Sequence, residues 1–146
     1  MMTEQAQQAI QVLDFHEQRL IEAPIDIVFQ TVLEPQGPLA EMKLKLEAFP
    51  GGRWFRDLGN NTGHLWGHVQ VIKPPKLLEI SGPLMMSYPA QNHVQYRLTA
   101  EGTGTRVQFT HRAMGLIPGE HRDGMPEGWA QWLKAIRERA EGRKGK

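Results

Sequence analysis

The chain of 146 residues contains no cysteine. That excludes disulfides, thiol nucleophiles and thiolate metal sites, and fits a reducing compartment. Charge of one sign is also lacking. The formal net charge is +1, which gives no general attraction to nucleic acid or to a membrane surface. No apolar run approaches the ~20 residues of a membrane span. Met1-Met2-Thr3-Glu4-Gln5 has neither the basic nor the apolar region of a secretion signal. The expectation is a cytoplasmic protein. Phosphate-binding loops, dinucleotide fingerprints, Gly-x-Ser-x-Gly elbows and His-Glu-x-x-His motifs are missing as well.

What the sequence does contain is alternation broken by turn residues. A chain of this length folds as one domain spanning 1–146, burying roughly 70% of its unfolded surface and able to spare interior volume for a ligand. Residues 1–13 read as an arm or a short helix, and Phe15–Glu22 as a strand. Ala23-Pro24 opens a helix carrying Ile27, Val28, Thr31 and Val32, and Leu39–Glu41 adds a second short turn. Met42, Leu44, Leu46 and Ala48 alternate with Lys43, Lys45 and Glu47, as on a half-buried strand. Strands follow over Arg53–Leu58, around Leu65-Gly67-Val69-Val71, and at Leu78 and Ile80, separated by Gly59–Gly63 and Pro74-Pro75. Val94, Tyr96, Leu98 and Ala100 form one face of the next strand. After a turn at Glu101–Gly104, Val107, Phe109, His111 and Ala113 form a face of the last. Residues 115–124 read as a loop. A helix over Pro126–Ala140 places Trp129, Trp132, Leu133 and Ile136 on one stripe.

Several motifs together carry a resemblance: Ala23-Pro24 with Val28-Phe29, Gly51-Gly52-Arg53-Trp54, Gly67 before Val69 and Pro74-Pro75, Gly104–Val107 running into Thr110-His111, and Gly128-Trp129 in the last helix. In that order, over about residues 14–140, they resemble the START-like (SRPBCC) superfamily, in the branch similar to the C-terminal domain of the activator of Hsp90 ATPase. The resemblance implies an α+β helix-grip fold. About seven antiparallel strands curve around a long C-terminal helix, with two short helices after the first strand. It also implies a cavity between sheet and helix that holds an apolar or amphipathic ligand, lipid-like or aromatic. No catalytic motif is shared across that superfamily, and the fold says more than the function.

Residue by residue, the alternation puts Trp54, Val69, Ile80, Tyr96, Phe109, His111, Trp129 and Leu133 around that cavity, with Tyr96 and His111 as its polar anchors. Against this stands a core histidine satisfied by a carbonyl or water. Arg56, two residues from Trp54, would be an inward cation needing an anion (Glu79, the neighbourhood of Asp57, or a ligand carboxylate), or an exposed one after a bulge. Met85 and Met86, with Leu84 and Tyr88, either cover the cavity or plug the sheet's end. His64, Trp66 and His68 cannot share a metal ion, because residues four apart on a strand are about 13 Å apart. They alternate with Leu65, Gly67 and Val69 and are expected to face outward, as a surface for a protein partner or a second copy. From Lys134 to the end, six cations stand against two acids; this reads as a solvated helix end, frayed over 141–146 and without the interleaved aromatics of a nucleic-acid site.

Three functions follow as expectations. The first is a ligand-binding protein without cofactor or metal. The second is an interaction module related to chaperone regulation, acting through Trp66, His64 and His68. The third is a cofactor-free cyclase or dehydratase using His111 as acid/base with Tyr96 or Arg56.

Overall fold

The structure is a computed structural model and describes residues 9–34, 41 and 43–145. Seven antiparallel strands form one sheet: β1 (Gln11–Ile21), β2 (Leu44–Leu46), β3 (Arg53–Gly59), β4 (Thr62–Lys73), β5 (Leu77–Gly82), β6 (Ala90–Glu101) and β7 (Gly104–Gly115). Their order is β1-β7-β6-β5-β4-β3-β2. A short helix, α1 (Ile25–Val32), follows β1, and a long one, α2 (Gly119–Arg143), closes the chain. This is the α+β helix-grip architecture, in which the sheet's inner face and the apolar stripe of α2 share one core.

Turn chemistry sets the meander. Asn60 and Asn61 both take positive φ, 53° and 58°, in the two-residue link between paired Gly59 and Thr62. Asparagine tolerates the left-handed region that such tight hairpins require. Gly67 and Gly82 meet where β4 crosses close to β5. A Cβ on Gly82 would lie 2.4 Å from the Gly67 Cα, so side chains are excluded from both positions.

Three boundaries differ from expectation, and one expected element falls outside the described residues. β1 begins at Gln11, so residues 11–13 are strand; the proposed arm otherwise falls mostly outside the described residues. The second short helix at Leu39–Glu41 also lies essentially outside them. α2 starts at Gly119, seven residues earlier than read, because Pro118 is its N-terminal boundary and Pro126 sits inside the helix on the solvent side. There the missing N–H and the bulky ring meet water instead of core. Finally, α2 runs on to Arg143, so residues 141–143 are not frayed. Arg143 donates to Glu34 Oε1 at 2.8 Å, and Glu141 accepts from the Glu22 backbone N–H at 2.9 Å.

The two halves of the sheet differ in regularity. β1, β7 and β6 pair without interruption along their whole length. β4 is irregular on both sides, shifting register at Trp66 against β3 and at Gln70 against β5.

Candidate functional site

Bulges decide which side chains reach the interior. Trp54 pairs with Gly67 and Phe55 with Leu65, which leaves Trp66 as an extra residue between paired neighbours. The strict two-residue period breaks there. Trp66 therefore turns inward, 2% exposed, and packs edge-to-face on Trp54 with centroids 5.0 Å apart. Its carbonyl is not orphaned, since it accepts the Leu84 N–H at 2.7 Å. Leu65, expected inside, is 46% exposed. The outward Trp66 surface is thus overturned: His64 and His68 are exposed, but the tryptophan between them belongs to the core. The most exposed large apolar side chains on a pair of neighbouring strands are Val12 and Met114, which face each other across β1 and β7.

The centre of the expected hollow is solid. Phe109 packs against Tyr96, Trp129 and Phe15 with centroids 5.0, 4.7 and 6.2 Å away. Val69, His111 and Leu133 are buried in the same core and line none of the cavities described below. Trp54, Ile80 and Tyr96 border only a void of ≈ 20 Å³, about the size of one water. Arg56 lies opposite buried Leu44, is half-buried and borders neither space.

His111 is inward, as the alternation requires, and both of its nitrogens are occupied. Trp129 Nε1–H donates to His111 Nδ1 at 3.0 Å, which puts the imidazole proton on Nε2. That N–H donates to Asn92 Oδ1 at 2.7 Å. Asn92 Nδ2 in turn donates to the carbonyls of Gly82 and Pro83 at 3.1 and 3.3 Å. Burial, and secondarily the nearby His121, push the His111 pKa down to about 4. The imidazole is a neutral tie between α2, β6, β7 and the loop after β5, with no nitrogen left for a substrate. Tyr96 is similarly held: its hydroxyl accepts the Trp132 Nε1–H at 2.6 Å, and burial raises its pKa.

Open space lies at one end, beside the first half of α2. A cavity of ≈ 400 Å³ is bounded by Trp66, Met85, Met125, Trp129 and Trp132, with Glu120, His121 and Gln131 supplying polar groups. Its helical wall is bare at Gly124 and Gly128, where an added Cβ would meet nothing within 4 Å. Glycine inside a helix costs about 1 kcal/mol relative to alanine, and no packing at these two positions demands it. The loop between β5 and β6 forms another wall. Met85 lines the space while Leu84 and Met86 are buried beneath, so the methionine pair is divided between covering and plugging. Tyr88 ties this loop to α2 through a hydrogen bond between its hydroxyl and His121 Nδ1, with the rings edge-to-face. Burial raises the Tyr88 pKa and lowers that of His121, so both are neutral near pH 7.

Of the nine ligand-site residues read from the sequence, only Trp129 borders this cavity. Trp132, on the same helical stripe as Trp129, also lines it, whereas Trp66, Met125 and the two helical glycines are not legible as site residues from the alternation. The glycine spacing Gly124–Gly128, four apart on the face that also carries Gln131 and Trp132, was the available signal. Among the described residues no group of three or more His, Asp or Glu could hold a metal ion, and no helix is long and apolar enough to cross a membrane.

Solved structures share this architecture. An uncharacterised protein from Rhizobium leguminosarum superposes with a TM-score of 0.73 at 19% identity, covering 92% of this chain and 98% of that one. Mll3558 from Rhizobium loti gives 0.69 at 19% identity, covering 89% and 98%. CalU16 from Micromonospora echinospora gives 0.61 at 20% identity, covering 88% and 81%. At such identities the likeness speaks for the fold alone. No curated protein matches the chain. The model of the activator of Hsp90 ATPase homolog 1-like proteins matches residues 22–141, nearly all of the helix-grip elements, and the chain belongs to that family.

Proposed function

We infer that the protein binds a small apolar or amphipathic molecule, of about bicyclic size, in the cavity beside the first half of α2. The observation that carries this reading is the cavity itself: ≈ 400 Å³ walled by three indole rings and two thioethers. Such a volume falls within the ~300–1,000 Å³ usual for small-molecule sites, which are mostly apolar with a few polar groups. Two features add support. The helix forgoes side chains at Gly124 and Gly128, facing the space at a cost in helix stability. The thioethers of Met85 and Met125 adapt to ligands of irregular shape. Binding would draw mainly on apolar burial, at about 25 cal/mol per Å² before ordering costs.

Tetralin is a suitable probe, since its two fused rings fit the volume and it carries no polar group. Titration should quench tryptophan emission, because three of the chain's four tryptophans line the site. Gly128→Leu, which fills the space from the helix side, should abolish the quenching. Unaltered binding in Gly128→Leu would refute this function, as would the failure of both tetralin and its ketone, 1-tetralone, to bind the native protein saturably.

A further inference from the structure

The three indoles of the cavity differ in one respect. Trp129 and Trp132 spend their N–H groups on the sheet, on His111 Nδ1 and the Tyr96 hydroxyl. What they offer the cavity is ring carbon. The Trp66 N–H makes no hydrogen bond with any residue, although its side chain is 98% buried by the fold. Nor is that donor sealed in. Among the described residues the one fully enclosed side-chain N or O without a hydrogen-bond partner is Glu17 Oε2, itself ion-paired to Arg19 at 3.0 Å. Among the described residues, the open space that Trp66 borders is the ≈ 400 Å³ cavity.

An indole N–H in an apolar cavity is a costly group to cover. A hydrocarbon filling the space would shut the donor away from water unpaired, whereas an acceptor oxygen on the ligand would satisfy it. The remaining polar groups restrict the ligand's charge. Neither lysine nor arginine lines the cavity among the described residues, and the single formal charge there is the carboxylate of Glu120. An indole donor with a carboxylate in the same lining suits a neutral oxygen and opposes an anion.

Resting on the ligand-binding reading, we propose that Trp66 Nε1–H is the specificity-determining donor of the site, and that the ligand is a neutral ring compound bearing a carbonyl or ether oxygen, not a carboxylic acid. This reverses the acid that an inward Arg56 would have favoured. It also gives a function to the β4 bulge, which delivers an indole with an unpaired N–H to the cavity wall.

The test compares three probes of one shape: tetralin, 1-tetralone and tetralin-1-carboxylate. Raw affinity of ketone against hydrocarbon mixes the new hydrogen bond with the ketone's own desolvation, so the informative quantity is the ratio of the two and its change on mutation. Trp66→Phe should lower the tetralone-to-tetralin affinity ratio about tenfold, because the ketone loses its donor while tetralin no longer buries an orphan. The carboxylate should bind the native protein at least about tenfold more weakly than tetralone. In the native protein the Trp66 indole N–H resonance should move downfield with tetralone and not with tetralin, a readout that survives if the phenylalanine variant does not fold. An unchanged ratio, a stationary Trp66 resonance with tetralone bound, or a carboxylate that binds as tightly as the ketone would each overturn the proposal while leaving the cavity as a binding site. If tetralin and tetralone both fail to bind, the ligand-binding reading falls with it.

Discussion

The two ends of the helix–sheet interface are built on opposite rules. Where α2 crosses β6 and β7, register is unbroken and the buried polar side chains are paired: Trp129, His111, Asn92 and the Gly82 and Pro83 carbonyls form one closed chain of hydrogen bonds. Where the helix passes β4 and the loop after β5, the strand is bulged, the helix carries bare glycines, and an indole N–H is left over. The first region is a scaffold that fixes the angle of α2. The second is room that the scaffold holds open. A closed polar network resists rearrangement because any broken member strands buried partners, and this rigidity allows the neighbouring end to remain unfilled without collapsing. Substitutions in the scaffold should therefore register in stability, and those at the open end in binding.

The largest effect should come from His111→Ala. It removes buried volume and strands two groups at once, the Trp129 N–H and the Asn92 amide oxygen. A loss of about 3–4 kcal/mol in urea unfolding is expected. A loss below about 1 kcal/mol would mean that the network does not hold the helix. Acid attacks the same place. The folded His111 pKa lies at about 4, below its ordinary 6.5, so between those values the unfolded chain binds the proton and the folded one does not. The contribution is fully present above pH 6.5 and is lost as pH falls from 6.5 to 4, by roughly 3 kcal/mol at most. His121, lowered in the same direction by burial, adds to that slope. Stability that stays flat from pH 7 to pH 4 would contradict this assignment.

The same contrast explains what could be read in the chain before its fold was known. In β6 and β7 the alternation Val94-Tyr96-Leu98 and Val107-Phe109-His111-Ala113 is unbroken, and each of these side chains is buried. In β4 a two-residue period fails, because a bulge carries no sequence mark that distinguishes it from a regular strand. One inserted residue sent Trp66 inside and Leu65 outside. Gly119, Gly124 and Pro126 misled in another way. The two glycines read as loop and the proline as the first turn of the helix, yet tertiary context overrides propensity where such residues face solvent or a cavity. The candidate site was obscured because it is assembled from such exceptions.

At the open end the signs of stability and binding should part. Gly128→Leu replaces a residue of poor helix propensity, and its side chain has space to enter. Unfolding free energy should stay level or rise by up to about 1 kcal/mol, while affinity for tetralin falls by more than about tenfold. A marked destabilisation would show that α2 requires glycine there for packing, and the division between scaffold and room would lose its clearest support.

The mildest expected change tests the seam between the two regions. Tyr88→Phe keeps the ring against His121 and removes the hydroxyl hydrogen-bonded to Nδ1. Because this contact is half-buried, its loss should cost only about 0.5–1 kcal/mol. The consequence should be local: amides of the loop over residues 83–89 exchange faster, and bound tetralin leaves sooner with little change in its rate of arrival. His121 should keep its lowered pKa in this variant, since burial and not the hydroxyl lowers it. Were exchange to quicken instead along β6 and β7, the tie would belong to the scaffold, and the boundary would have to move inward to Trp66.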